Sequence, residues 1–207
     1  MKIVIISDTH ERHENLGAID GDVLIHCGDL FNLRSDDSTQ LKRVDDWFGR
    51  QEFDVILLTG GNHDLLLERK LLKRSQPFEN AVFLKDMVHW HNGVCFYGAP
   101  WVPLLTRHAF YADDSELRNR WARIPQETNV LITHIPPYSV MDRSSRGMEL
   151  GCRHLAEAVQ RVKPVVHCFG HVHHSAGVVQ GSDTLFVNAS SVNSQLEVVH
   201  APVVLEL

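Results

Sequence analysis

Five short apolar runs constrain this chain of 207 residues most strongly, because each run leads directly into a cluster of Asp, Asn and His side chains. The runs are rich in β-branched residues and bounded by turn residues, so they predict buried strands. Polar turns and stretches with helical apolar spacing lie between them. This alternation predicts a parallel sheet covered by helices. The clusters at the strand ends are Asp8/His10, Asp29, Asn62/His63, His134 and His171/His173.

The pattern predicts strands over residues 2–7, 22–27, 54–59, 130–133 and 165–169, and helices over 39–50, 65–74, 113–121 and 152–161. The stretch from 81 to 97 has a different character. It holds strand candidates at 81–84, 87–90 and 94–97, with His91-Asn92-Gly93 as a hairpin turn, which predicts antiparallel pairing. Closing antiparallel strands are predicted at 177–179, 184–187 and 202–207.

Length, charge and cysteine usage limit the class of protein. A chain of this size that is 43% hydrophobic is predicted to form one domain over residues 1–207. Its net charge of -6 argues against non-specific electrostatic binding to long polyanions such as nucleic acids. No run has the pattern of a signal peptide or the length of a membrane span. The four scattered cysteines contain no C-x-x-C pair, so we expect reduced core thiols in a cytoplasmic protein with no membrane partner.

Taken singly, each polar cluster has an ordinary explanation as a turn or a helix cap. Taken together they have a second explanation as parts of one shared site, because the carboxyl ends of parallel strands meet at one edge of a sheet. Carboxylates brought together there would repel each other unless a cation lay between them. The mixture of carboxylate, amide oxygen and imidazole, without thiolate, suits Mn, Fe, Zn or similar ions better than a structural zinc site. We therefore predict a metal centre at this edge.

The turn Gly61-Asn62-His63-Asp64 offers three functional groups in succession. Asn62 supplies an oxygen ligand, His63 a titratable imidazole, and Asp64 a carboxylate able to orient that imidazole. An ordinary helix cap is the alternative reading of the tetrapeptide alone. With the other clusters, the turn predicts a ligand beside a catalytic pair, His63 and Asp64.

The order D-x-H, G-D, G-N-H-D, a lone H and G-H-x-H resembles the signature of the calcineurin-like metallophosphoesterase superfamily. That resemblance covers nearly the whole chain. It implies an α/β (α+β) fold of two packed mixed sheets flanked by helices, a four-layer αββα sandwich. Further features resemble the metallophosphoesterase-domain-containing subgroup, whose better-known members are cyclic-nucleotide phosphodiesterases: 46–49, 98–101, 133–137, 151–152 and 188–190.

Carried over by position, the resemblance implies two divalent metal ions. One would be held by Asp8, His10, Asp29 and His173, and the other by Asp29, Asn62, His134 and His171, with Asp29 bridging. Some animal members have glycine at the position of His171, so the second set is complete here. His174 lies outside the pattern, as a spare ligand or a supporting or surface histidine. Manganese is favoured, with Fe, Zn, Ni and Co as alternatives.

The implied chemistry is hydrolysis of a phosphate ester. Two cations about 4 Å apart share a water or hydroxide and clamp the phosphate for in-line attack. His63 would then stabilise the transition state or protonate the leaving group. We expect small organic phosphodiesters, such as cyclic nucleotides, as substrates. The alternatives are a phosphomonoesterase, a nuclease on short or single-stranded DNA or RNA, which a basic track would favour, and a non-catalytic binding scaffold.

Candidate substrate contacts follow the polar clusters. Guanidinium groups suit phosphate, and a solvated surface position is the alternative for each. The segment 143–147 is a candidate mobile rim. Trp101 and Tyr138 could stack on a nucleobase or pack against loops. The candidate phosphate contacts are Arg12, Arg143 and Arg146, with His13, Arg34 and Arg69 nearby in sequence.

Overall fold

The computed structural model describes residues 1–33, 38–73 and 76–207, and describes Ser38 by its backbone alone. Its α-helices, α1 to α4, are Ser38–Phe48, Leu65–Leu71, Asp114–Trp121 and Arg153–Val162. Its strands, β1 to β11, are Lys2–Ile6, Val23–His26, Val55–Leu58, Val82–Phe83, Met87–His91, Val94–Ala99, Val130–Thr133, Val166–Phe169, Gly177–Gln180, Leu185–Asn188 and Val203–Glu206. Short 3-10 turns cover His13–Leu16 and His173–Ser175.

Each predicted strand and helix has a counterpart whose ends differ by a few residues. Helix α3 starts at a capping box, in which the Asp113 carboxylate accepts the Glu116 N–H and the Glu116 carboxylate accepts the Asp113 N–H. Helix α2 ends at Leu71, and its predicted last residue, Arg74, lies outside the described residues. No helix in the described part of the chain is long and apolar enough to cross a membrane.

The first sheet has the strand order β11-β1-β2-β3-β4. Strands β1 to β4 are parallel, and β11 pairs with β1 in the antiparallel sense. The expectation of antiparallel pairing at 81–84 was therefore wrong, because β4 pairs with β3 in the parallel sense. The physical reason is the connection: the chain leaves β3, crosses through α2 and returns in the same direction.

The second sheet has the order β5-β6-β7-β8-β10-β9. The predicted hairpin joins β5 to β6, with Asn92 and Gly93 at positive φ as a tight two-residue turn requires. Strands β6, β7, β8 and β10 are parallel. The prediction of purely antiparallel closing strands was wrong for β10: the chain forms edge strand β9 first and returns between β9 and β8.

Two apolar layers hold the elements together. The inner faces of the two sheets pack on each other through a fully buried layer that includes Ile3, Ile25, Phe96 and Ile132. The outer faces pack under the helices in a second apolar cluster, which includes Trp47 of α1. All four cysteines are buried and unpaired. The helix, sheet, sheet, helix layering confirms the predicted αββα sandwich.

The carboxyl edges of both sheets meet at one place. A bridge between Ser7, after β1, and Ser190, after β10, joins the two edges directly. The loops that follow β1, β2 and β3 carry the aspartate and asparagine clusters, and those that follow β7 and β8 carry the histidine clusters. The fold therefore brings the ends of separate strands from two sheets into one site.

Candidate metal centre

The backbone turns sharply at the ends of three of these strands. Asp8, His10, Asp29 and His171 have φ values of 51°, 43°, 55° and 67°, the left-handed region that residues with a β-carbon seldom adopt. The surrounding hydrogen bonds enforce these turns: the Asp8 N–H donates to the Gly28 carbonyl and the His10 N–H to the Asp29 carbonyl. Such local strain is common at functional sites. Here it directs side chains from β1, β2 and β8 toward each other.

Five of the seven predicted ligands, together with His63, form three overlapping groups in which the ligand atoms of each group lie within 4.8 Å of one another. One group is Asp8, His10 and His173, three of the four residues assigned to the first metal. A second joins Asp8 and Asp29 to His134, and a third joins His10 and Asp29 to His63. The structure thus brings residues far apart in the chain to one cluster, with the two aspartates shared between groups.

Three of the histidines are held in the same way. The Nδ1 atoms of His10, His134 and His173 lie 3.2, 2.9 and 3.2 Å from the backbone carbonyl oxygens of Phe31, Cys27 and Asn193. A carbonyl only accepts a hydrogen bond, so each Nδ1 carries a proton, and Nε2 offers a lone pair whenever the ring is neutral. This is how histidines that bind metals are usually oriented. Without a metal ion, burial works to lower the pKa of His173 but the hydrogen bond to Asp8 raises it to about 9, so a cation would replace the proton on its Nε2.

The free Nε2 atoms face oxygen atoms. His134 Nε2 lies 2.9 Å from Asn62 Oδ1 and 3.5 Å from Asp29 Oδ2. His173 Nε2 lies 3.3 Å from Asp8 Oδ1, and His10 Nε2, 3.8 Å from Asp29 Oδ2, is buried with no hydrogen-bond partner in the described residues. Lone pairs that converge on carboxylate and amide oxygens fit a bound cation, which satisfies all of them at once.

The two aspartates are fully buried, which is costly for neighbouring anions. Burial and the negative charge of Asp8 raise the pKa of Asp29 well above its usual value. Burial also works to raise the pKa of Asp8, but the hydrogen bond and charge of His173 hold it well below its usual value. Divalent cations would compensate this pair of carboxylates, so the residues present fit the metal ions that the sequence predicted.

Two glycines permit the close approach of the ligands. A β-carbon on Gly170 would lie 2.1 Å from Asp8 Oδ2, and one on Gly61 would lie 2.3 Å from Asp29 Oδ1. Neither distance can be tolerated, so any side chain at these positions would displace a ligand. The His171 N–H next to Gly170 donates to both oxygens of the Asp8 carboxylate, at 3.1 and 3.0 Å.

His63 lies beside this cluster, with its ring 4.8 Å from the ring of His10. Its backbone N–H donates to Asp29 Oδ1 over 2.8 Å. Burial, followed by the charges of nearby histidines, lowers the pKa of His63 to about 4. Because a ring nitrogen of His63 also belongs to one of the three ligand groups, its geometry allows either a catalytic or a ligand role.

Asp64 has partners other than the one expected. Its buried carboxylate accepts backbone N–H groups from Asp29, Phe31 and Gly61 at 2.9, 3.0 and 2.8 Å. In the described residues its carboxylate has no hydrogen bond to the His63 imidazole. The interpretation of Asp64 as the orienting partner of that ring is therefore corrected: Asp64 ties the turn after β3 to the turn after β2. Adjacency in sequence had suggested the pairing, but the Asp64 carboxylate is used by backbone N–H groups.

The candidate substrate contacts are mostly outside the cluster. Arg12, Arg69, Arg143 and Arg146 are exposed, and Arg143 faces Glu149 at 3.8 Å. Arg34 lies outside the described residues. His13 is buried and packs against Trp47 with ring centroids 5.1 Å apart, so it is a core histidine instead of a substrate contact.

The two aromatic candidates are packed against protein. Trp101 is buried, donates to Asp86 over 2.7 Å and carries the Arg120 guanidinium 3.3 Å above its ring. Tyr138 donates to Glu149 over 2.6 Å and lies under Arg153. Of the two readings left open for these rings, the structure favours packing over nucleobase stacking.

Two residues near the cluster were not predicted as functional. Ser190 donates its hydroxyl to Asp8 Oδ2 over 2.9 Å, and the same hydroxyl lies 2.8 Å from Asn188 Oδ1. The ring of His108 lies 6.1 Å from the ring of His63. Ser190 follows strand β10 as the other clusters follow theirs, so the strand-end pattern could have found it. Nothing comparable marks His108, which lies in an irregular loop.

Comparisons with known proteins identify the family of this chain. A family model described as calcineurin-like phosphoesterase matches residues 1–175. A UPF0046 protein of Caenorhabditis elegans is 35% identical over 219 residues, which span 99% of this chain and 74% of that protein. Human metallophosphoesterase domain-containing protein 1 is 30% identical over 232 residues, spanning 100% of this chain and 71% of its own length.

A solved structure described as GAP50, the anchor in the inner membrane complex of Plasmodium, has a TM-score of 0.57 at 12% identity, covering 92% of this chain and 71% of that one. At this identity the likeness concerns the fold alone. The family match and the curated relatives decide the classification. This chain belongs to the calcineurin-like phosphoesterase family, and membership implies a hydrolase of phosphoric esters that uses divalent metal ions.

Proposed function

We propose that the protein is a phosphodiesterase that holds two divalent cations, with manganese favoured, and acts on small organic phosphodiesters such as cyclic nucleotides. One observation carries the proposal: imidazole Nε2 atoms anchored through Nδ1 converge on the buried carboxylates Asp8 and Asp29. In this proposal Asp8, His10, Asp29 and His173 hold one cation, and Asp29, Asn62, His134 and His171 hold the other.

Cations bound there supply a Lewis acid for the phosphate oxygens and an activated water. The residues of the chain do the rest. The carboxylates and imidazoles would hold the cations at the edge where the two sheets meet, which fixes where an anionic ester can bind. His63, whose ring is not tied to Asp64, is placed to donate an N–H to a phosphate oxygen or to the departing alkoxide. Because the pKa of His63 is lowered to about 4, its ring is neutral near pH 7 and acts as a hydrogen-bond donor to the developing charge, a role whose loss costs about 100- to 1,000-fold in rate.

Charge supports a compact substrate over a long polymer. The chain has a net charge of -6, and its four described candidate arginines are exposed. A nuclease would gain from a continuous line of cations along the backbone of its substrate. A small diester needs only the cations of the site.

A substrate panel with added Mn²⁺ tests the proposal. It contains 2′,3′- and 3′,5′-cyclic nucleotides, bis-p-nitrophenyl phosphate, single-stranded oligonucleotides and phosphomonoesters. We expect the small diesters to be hydrolysed fastest. Dominant cleavage of oligonucleotides or of monoesters would replace the proposed substrate class. No metal-stimulated hydrolysis of any ester would favour a non-catalytic scaffold.

A further inference from the structure

A cavity of about 450 Å³ lies beside the 3-10 turn His173–Ser175. Its walls come from three parts of the chain. They are the segment 171–174 that follows β8, the segment that contains Ser144, Ser145 and Leu150, and the loop between β10 and β11 from Asn193 to His200. This volume is toward the small end of the range of about 300–1,000 Å³ that is typical of small-molecule sites.

The cavity adjoins the candidate metal centre. Five of the seven predicted ligands, Asp8, His10, Asp29, Asn62 and His134, are buried. The other two, His171 and His173, are half-buried, and both line the cavity. Solvent therefore reaches the ligand cluster on the side that this cavity occupies, and a molecule seated there lies against the same two imidazoles.

Internal hydrogen bonds shape two of the walls. The Asn193 side-chain oxygen accepts the N–H groups of Gln195 and Glu197 at 2.9 and 3.0 Å, which closes the turn after β10. Across the cavity, the Ser144 hydroxyl accepts the Met148 N–H at 3.1 Å. The segment considered as a mobile rim thus forms a hydrogen-bonded turn, and its two serines line the cavity. The cavity is formed by the fold before any ligand arrives.

The lining is uncharged apart from the histidines. Leu150, Val172 and Val199 supply apolar surface, and Val199 is 52% exposed although it belongs to a concave wall. Serine hydroxyls, the Asn193 amide and the imidazoles of His174 and His200 supply hydrogen-bonding groups. Among the described residues the lining includes no Lys, Arg, Asp or Glu. Such a surface suits an uncharged organic group and offers no counterion to the next phosphate of a polymer.

We propose that this cavity is the subsite for one uncharged, ring-sized organic substituent of the phosphate ester, with His174 and His200 as specificity-determining residues. The inference rests on the proposed function, since it assumes a phosphate group at the adjoining cluster. It accounts for His174, which lies outside the predicted ligand pattern. It also determines which esters bind more tightly. A ring on the ester contacts the imidazoles and Val199 and adds to the affinity, whereas a methyl group does not reach them.

The test compares two non-hydrolysable ligands with the same head group, phenylphosphonate and methylphosphonate. Their dissociation constants are measured by titration calorimetry on the full chain loaded with Mn²⁺. We expect the wild-type protein to prefer phenylphosphonate. His174→Ala and His200→Ala should each weaken the binding of phenylphosphonate by about threefold to tenfold, as expected for loss of a ring contact. The affinity for methylphosphonate should not change. Ser145→Trp, which fills the cavity from an exposed position, should abolish the preference.

His91→Ala is the matched control, because it removes a histidine near the β5–β6 hairpin, at the opposite end of the second sheet. Equal affinities for the two phosphonates in the wild type, or an unchanged preference in all three cavity variants, would overturn the inference. Its failure can be separated from that of the proposed function. If the protein prefers phenylphosphonate but hydrolyses no ester, the subsite is supported and the phosphodiesterase function is not. If it hydrolyses phosphodiesters but shows no preference, the function is supported and the subsite is not.

Discussion

Replacement of Ser190 by alanine tests whether the edge where the two sheets meet holds a metal ion. The Ser190 hydroxyl donates to Asp8 Oδ2 over 2.9 Å and is fully buried, so no water can easily replace it. Its removal leaves the Asp8 carboxylate with the His171 N–H and the His173 ring as its partners. Asp8 then loses part of what fixes its orientation toward the cluster.

The expected size of the effect follows from that one bond. A hydrogen bond to a charged group contributes about 1.5–3 kcal/mol, and each 1.4 kcal/mol corresponds to about tenfold in an equilibrium constant. Loss of a supporting contact behind a metal ligand typically lowers metal affinity by about 10- to 100-fold. The hydrogen-bond energy and the typical effect of a lost supporting contact give the same range, so Ser190→Ala should weaken Mn²⁺ binding by about 10- to 100-fold.

Mn²⁺ affinity is measured by titration calorimetry and by the electron paramagnetic resonance signal of free Mn²⁺. Ser191→Ala is the matched control, since Ser191 is the adjacent buried serine and its hydroxyl makes no hydrogen bond that the described part of the chain shows. Unchanged Mn²⁺ affinity in a folded Ser190→Ala protein would refute the assignment of Asp8 as a ligand oriented by Ser190. An equal loss in Ser191→Ala would show a general packing effect instead.

Three further predictions concern separate parts of the site and core. His63→Ala should keep near-normal metal content while turnover falls by about 100-fold or more, measured by elemental analysis and steady-state kinetics; equal loss of metal would make His63 a ligand. Gly170→Ala places a β-carbon 2.1 Å from both Asp8 Oδ2 and Ser7 Oγ, so it should lower metal content and melting temperature together; normal values for both would contradict the packing of this edge. Burial lowers the pKa of His167 from 6.5 to about 3, so the folded state holds this ring neutral and loses stability as the pH falls from 6.5 toward 3. At pH 5 this costs about 2 kcal/mol, and metal-free His167→Leu should lose that much less stability than wild type between neutral pH and pH 5 in urea unfolding.

Much of the fold could be predicted because its causes are local. A run such as Ile3-Val4-Ile5-Ile6 is β-branched and continuous, which suits a strand buried on both faces. Asn92 and Gly93 accept the positive φ that a tight hairpin needs. The parallel pairing of β4 and β10 was missed because the direction of a strand depends on the route of the chain before it.

The candidate site likewise has features with local causes and features that depend on tertiary structure. The sequence by itself determined which residues follow the strands, and therefore the ligand candidates from Asp8 to His173, because parallel strands place their carboxyl ends together. Only the tertiary structure decided the partners of those residues. Asp64 binds backbone groups of the turn after β2 instead of its neighbour His63, and Ser190 reaches Asp8 from the other sheet. The physical reason is that strand propensity and turn chemistry act over a few residues, whereas these hydrogen bonds join segments that meet only when the two sheets pack.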